Sequence, residues 1–489
     1  MTGVRTVRAY LRSHGRAPSS LLDRYVAVFA LLLLTAVVGH PLTSMLAGLA
    51  EQARPAHMGA GVALLALALA GFLGAARAAG PVLLPAPDAF WLLLSPLDRR
   101  GLLGRTGRVL LLVAGAAGVL LGIGLLAVLG APDQLVWRVL GALVLGVSAT
   151  VGGMALAVLG QSAPSWQFWL TAAMTVLLVL AVVAVSGRLR TVLATAAAAP
   201  LPAVAAAAAG VALASGLLVR RAWASLDRIP ARTLLSASTR AGHVATAAVS
   251  LDPGALTWIA EDNHWRARRL TSRRWPSSLP APVALAWHDW RRLTRRPGRL
   301  VAVTATAALP SVLAQAGGSP ALAGMTVLAG GMAVAAMHTS GARRDSDNPA
   351  LARLIGIGLR PALAARALLP ALMSGVWTTA ALAALSGAGG EAWWMFGPLV
   401  APALAAGALR MARRSPVDHS LPVIDTPGGA IPTGPLLWAA RGVDLALLGC
   451  LPAAVALTAP PAAPASYLVA QGVWGVAVLA AYVLRARAA

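Results

Sequence analysis

Lysine is missing from this chain of 489 residues; all 40 of its Lys+Arg positions are arginine. That excludes a phosphate-cradling G-x-x-x-x-G-K-[ST] loop, which needs an ammonium group on the phosphates. Acids are scarce as well: 16 Asp and Glu residues leave a formal net charge of +24. Charged residues of both signs make up 11% of the chain, against about 25% in a soluble domain. One cysteine, Cys450, rules out an intrachain disulfide, and its apolar surroundings in the sequence make it a packing residue.

What fills the chain instead is apolar: 58% of it is hydrophobic. A membrane-spanning helix needs about 20 mostly apolar residues to cross about 30 Å of hydrocarbon. Twelve stretches meet that pattern, six near residues 25–49, 58–79, 109–130, 135–159, 166–186 and 193–219, and six near 300–315, 321–336, 362–384, 392–408, 436–457 and 467–484. The expected fold is therefore an all-α polytopic membrane protein of about twelve transmembrane helices. It divides into a first six-helix half (1–219), a basic cytoplasmic linker (220–299) and a second six-helix half (300–489). The polar arm ahead of the first stretch, and the length of that stretch, argue against a cleavable signal.

Arginine in short loops is retained on the cytoplasmic side. Arg5, Arg8, Arg12, Arg16 and Arg24 precede the first stretch, Arg99, Arg100, Arg105 and Arg108 the third, and Arg220 and Arg221 follow the sixth. Arg343 and Arg344, then Arg410, Arg413 and Arg414, then Arg485 and Arg487 fall on the same side in the second half. Both termini are thus expected in the cytoplasm of a multi-pass cell-membrane protein, with Arg54, Arg138, Arg188 and Arg190 as the outer exceptions. The positive charge reads as topology and attraction to anionic lipid, and no nucleic-acid motif accompanies it.

The halves follow one plan. Each opens on an aromatic and arginine-rich helix suited to the headgroup region, carrying Tyr10 and Arg12 in the first half and Trp287, Trp290, Arg291 and Arg292 in the second. Two crossings later each presents a short cytoplasmic unit. In the first, Ser95 caps, Pro96 starts the helix and Asp98 faces the dipole; in the second, Asn348 caps and Pro349 starts, continuing to Leu359 and Arg360.

Other candidates have plain readings beside the chemical ones. Asp444 is the one acid well inside an apolar stretch, and its spacing from Arg441 allows an intrahelical ion pair. Asp345 and Asp347 could hold Mg²⁺ on a diphosphate, though Asn348 and Pro349 also explain them as residues at a helix start. His40, Glu51 and His57 lack metal-ligand spacing, and the glycine-rich run 426–434 lacks a lysine and reads as a turn. Small-residue pairs at Gly71 and Gly74, Gly118 and Gly122, and Gly141 and Gly146 permit close helix approach, the middle pair with strict G-x-x-x-G spacing. No catalytic, cofactor or metal site is assigned in the chain.

The unit Leu94-Ser95-Pro96-Leu97-Asp98-Arg99-Arg100-Gly101-Leu102-Leu103 and the elbow Trp287-His288-Asp289-Trp290-Arg291-Arg292-Leu293-Thr294-Arg295-Arg296-Pro297-Gly298-Arg299 resemble the permease subunits of ABC-2-type exporters, especially an actinobacterial exporter family with two fused six-helix halves. The resemblance implies a transmembrane subunit driven by a separate pair of ATPase subunits, which would carry the ATP and Mg²⁺. Its coupling residues would be Ser95, Pro96, Leu97, Asp98, Arg99 and Arg100 in one half and Asn348, Pro349, Leu359 and Arg360 in the other. The second unit lacks the Asp-Arg-Arg triplet of the first, which implies unequal docking. The residues leave open a membrane-embedded transferase built on Asp345 and Asp347, a secondary transporter built on Asp444, and an inert scaffold or immunity protein.

Overall fold

The computed structural model describes residues 55–84, 89, 98–131, 133–239, 254, 278–295, 297–354, 356–386, 392–415, 417, 418, 420–426, 429–459, 461 and 463–486. The first apolar stretch, 25–49, lies outside them. The chain separates into two compact units that divide after Gly242, with the short segment Thr426–Gly429 grouped with the first.

Among the described residues nine helices are long and apolar enough to cross a bilayer. The chain is a multi-pass membrane protein. In the first unit these are α1 (Pro55–Ala79), α2 (Arg99–Leu129), α3 (Leu135–Ser162), α4 (Pro164–Val185) and α6 (Leu201–Ala224), with a short α5 (Arg190–Ala197) between the last two. The second unit opens with α7 (Ala281–Thr294), followed by α8 (Pro297–Ala305) and α9 (Leu309–Gln315). Its spanning helices are α10 (Pro320–Met337), α13 (Leu359–Ser386), α14 (Phe396–Ala412, extended by a 3-10 turn at Ala392–Met395) and α18 (Ala465–Arg485). Two short helices, α11 (Ser340–Asp347) and α12 (Pro349–Leu354), link α10 to α13.

Two expected spans are broken. Residues 300–315 form parts of α8 and α9 joined by a 3-10 turn at Thr306–Ala308, and residues 436–457 fall into α15 (Thr433–Ala440), α16 (Val443–Gly449) and α17 (Leu451–Thr458). Gly442, at φ 100°, causes the first break in the latter; Pro452, which has no N–H to donate to Leu448, falls at the second. Since hydrocarbon offers no hydrogen bonds, freed backbone groups must find protein partners. Trp474 Nε1 of α18 donates to the Leu448 carbonyl at 2.7 Å. Gln471, fully buried, enters the next step of the ladder: its Nε2 donates to the Gly449 carbonyl at 2.9 Å and its Oε1 accepts from Ala453 N at 3.1 Å. Trp377 of α13 does the same at the other break, donating to the Val303 carbonyl at 3.0 Å.

Both units pack in the same order. In the first, α3 is central and touches α2, α4 and α6, while α1 lies against α2, α3 and α4. In the second, α14 is central and touches α13, α16 and α18, while α10 lies against α13, α14 and α17. Close crossings make this possible. At Gly122 an added Cβ would lie 2.7 Å from the Ala142 carbonyl oxygen and 2.8 Å from Leu143 Cα, and Gly118 and Gly146 meet in the same crossing of α2 and α3. Thr150 Oγ1 donates to the Ala114 carbonyl at 2.8 Å beside them. Gly71 has open space where a Cβ would stand, so the Gly71 and Gly74 pair marks no crossing. The run 426–434 falls on a two-stranded ribbon, β1 (Val423–Thr426) and β2 (Gly429–Pro432), leading into α15.

Candidate functional site: the arginine-bearing ends of the helices

In the second unit three elements converge on one guanidinium. Arg366, in the second turn of α13 and 6% exposed, donates through Nη1 to Asp289 Oδ1 of α7 at 2.6 Å. Its Nε and Nη2 form a fork on Asp345 of α11, at 2.8 Å to Oδ2 and 3.0 Å to Oδ1. Asp289 is equally buried. A planar guanidinium suits this, because it can satisfy a bidentate carboxylate and still donate to a second acid. Gly341 on α11 lets the cluster close, since a Cβ there would lie 2.8 Å from Asp289 Oδ1. The result is a buried acid-base-acid cluster that fastens the amphipathic α7 and the short α11 to a spanning helix.

This arrangement decides the chemistry open to Asp345. Both its oxygens are held by Arg366, so a metal would have to displace a charged fork, and no cluster of potential metal ligands occurs among the described residues. Asp347, exposed at the end of α11, does not share that site.

The sequence-predicted residues fall as follows. Tyr10, Arg12, Ser95, Pro96 and Leu97 lie outside the described residues, as do His40 and Glu51. Asp98 is the N-cap of α2 itself, accepting from Arg100 N at 3.3 Å and Gly101 N at 3.0 Å, so residues 99–103 form the first turn of a spanning helix rather than a separate unit. Arg100 pairs with Asp227 at 2.9 Å and donates to the Ala224 carbonyl at 3.1 Å, tying the start of α2 to the end of α6. Arg99 stands beside it, half-buried. Asn348 sits between α11 and α12, its N–H donating to the Arg344 carbonyl at 3.0 Å, and Pro349 is the first residue of α12. Leu359 and Arg360 open α13. Trp287 and Trp290 lie on the exposed face of α7, where with Val283, Leu368 and Leu372 they line an apolar groove of about 440 Å³; Arg291 and Arg292 occupy the last turn of the same helix.

Arg441 and Asp444 are not a pair. The break at Gly442 removes the helical spacing on which that expectation stood, and Asp444 pairs instead with Arg410 of α14 at 3.1 Å. Arg441 donates to Ser415 Oγ at 2.7 Å, and Arg414 donates to the carbonyls of Arg441 and Ala439, both at 2.8 Å.

Asp289 and Arg366 are the site residues that sequence reasoning passed over. One signal was there: Arg366 stands inside an expected span, at 362–384, where a charge is costly enough to mark function.

The chain matches, over residues 55–422, a family of unknown function, DUF6297. It belongs to that family. No curated protein and no solved structure matches it. The matched span takes in the Arg366 cluster and the first-unit contacts of Asp98 and Arg100 alike.

Proposed function

We propose that the chain is the transmembrane permease subunit of an ATP-driven exporter of the ABC-2 type, passing the membrane twelve times with both termini in the cytoplasm. The observation that carries this reading is the Arg366 cluster. A subunit worked from one face by another protein's nucleotide cycle needs short helices at that face that cannot slide against the helices they must move. Arg366 supplies such a fastening, from α11 and α7 to α13. Two units with the same packing order suit the paired halves, and the lack of lysine is consistent with an ATPase carried by another polypeptide. The exposed Asp347 end of α11, α12 and the first turn of α2 are then the surfaces that meet that partner.

A transferase built on Asp345 and Asp347 is disfavoured by the fork on Asp345. A secondary transporter built on Asp444 is disfavoured by that residue's position in the first turn of α16, half-exposed and already paired. The test is purification from native membranes in mild detergent followed by reconstitution. An ATPase with a lysine-bearing phosphate loop should co-purify, and substrate movement in vesicles should need both polypeptides and ATP. Transport by the chain alone, without triphosphate, would overturn the proposal.

A further inference from the structure

The second unit carries a groove of about 510 Å³ between α14, α16 and α18, within the roughly 300–1,000 Å³ typical of ligand clefts. Its depth is apolar: Leu445, Leu448, Ala477, Val478 and Ala481 line it, and Trp474 closes the far end. Its mouth is cationic. Arg410 lies in the last turn of α14 and Arg485 ends α18. Asp444 offsets one of these charges by pairing with Arg410, while Arg485 meets no carboxylate among the described residues.

The dimensions favour one occupant. From Arg485 back to Trp474 the helix rises about 16 Å at 1.5 Å per residue, which is about half of a roughly 30 Å hydrocarbon layer. A molecule lying here with its charge at the arginines would run down one leaflet and stop near its midplane. A free phosphate or a soluble acid would leave the apolar length unused, and a zwitterionic lipid would set its own cation against the arginines. We infer that this groove is a binding site for an anionic phospholipid, its phosphodiester held by Arg410 and Arg485 and one acyl chain laid along α16 and α18 as far as Trp474. The inference rests on the membrane body of the second unit and not on the exporter reading.

Native mass spectrometry of the detergent-purified chain, with phosphatidylglycerol or phosphatidylcholine added, tests it. Phosphatidylglycerol should be retained about tenfold more strongly. Arg410→Gln with Arg485→Gln should reduce its retention about 25-fold, and Arg485→Gln alone, which breaks no ion pair and serves if the double variant fails to fold, about fivefold. Ala481→Trp, which fills the groove, should abolish retention with both arginines in place. The exposed Arg188 is the control: Arg188→Gln should change nothing. Equal retention of the two lipids, a loss in Arg188→Gln matching that in Arg485→Gln, undiminished retention in Ala481→Trp, or equally strong binding of glycerol 3-phosphate would each overturn the site.

Discussion

The two units solve one problem with different chemistry. Each must fasten the backbone that leaves its first described spanning helix at the arginine-bearing end. In the first unit the fastening is neutral. Gln161 of α3 takes both backbone groups of Val82, accepting from its N–H at 3.0 Å and donating to its carbonyl at 2.9 Å. Thr106 Oγ1 donates to the Leu83 carbonyl at 3.1 Å, and Leu84 N donates to Ser238 Oγ at 3.2 Å. In the second unit the fastening is ionic and runs through Arg366, which stands as far into α13 from Leu359 as Thr106 stands into α2 from Arg99. Neutral side chains bonded to backbone hold a segment in place at modest cost if one is lost. A buried charge held between two acids costs far more to disturb, because losing one member leaves another uncompensated. That contrast makes the joint in the second unit the more sensitive to a single substitution.

The largest test of this difference is Arg366→Ala against Thr106→Val. The first leaves Asp289 buried and uncompensated, and should destabilise the protein by about 3–5 kcal/mol. The second leaves a carbonyl short of one donor and should cost about 1 kcal/mol. Thermal unfolding in a single detergent measures both, and similar losses would erase the distinction between an ionic and a neutral joint. Adding Asp289→Asn to Arg366→Met should recover part of the loss, because the uncompensated charge then disappears.

Close packing provides the next comparison. Both units bring backbone to backbone at a glycine and add a threonine: Gly122 with Thr150 where α2 crosses α3, and Gly397 with Thr378, whose Oγ1 donates to the Gly397 carbonyl at 3.1 Å, where α13 crosses α14. Gly122→Val drives a branched side chain into the Ala142 carbonyl and should cost about 2–3 kcal/mol. Gly71→Val, on the same unit but facing open space, should change stability by less than about 0.5 kcal/mol. Equal melting temperatures for the two variants would show that the crossing is looser than its geometry.

Gln471→Leu bears on the broken helix of the second unit. It removes the amide from between Gly449 and Ala453 and should cost about 1–3 kcal/mol, read by the same melt. If Ala453 N then recovers the Gly449 carbonyl directly, amide exchange at Ala453 stays slow and the break at Cys450 closes. Fast exchange there would show that the break belongs to the helix itself.

How far the sequence reveals these features depends on range. Spanning helices follow from runs of apolar residues, and the Gly118 and Gly122 pair from its spacing, since both are local patterns. The failed Arg441 and Asp444 pair shows the limit: a single glycine between them undoes the helical spacing. The Arg366 cluster lies further out of reach, because its partners are 21 and 77 positions away and only the fold brings them together. The broken spans look like ordinary helices in sequence, since a break becomes tolerable only when a neighbour such as Trp474 supplies the missing donor.

A small effect on stability separates structure from function. Arg100 and Asp227 are both near half-exposed, so their pair is screened and Arg100→Gln should shift stability by less than about 1 kcal/mol. Arg366, by contrast, cannot be altered without risk to the fold. If the first turn of α2 is where a partner ATPase docks, then Asp98→Ala, Arg99→Ala and Arg100→Ala combined should leave a protein that still folds, losing about 1 kcal/mol chiefly through the N-cap, yet co-purifies with far less ATPase. Recruitment that survives all three substitutions would move the proposed docking surface from α2 to the α11 and α12 pair, which the ionic joint at Arg366 ties to α13.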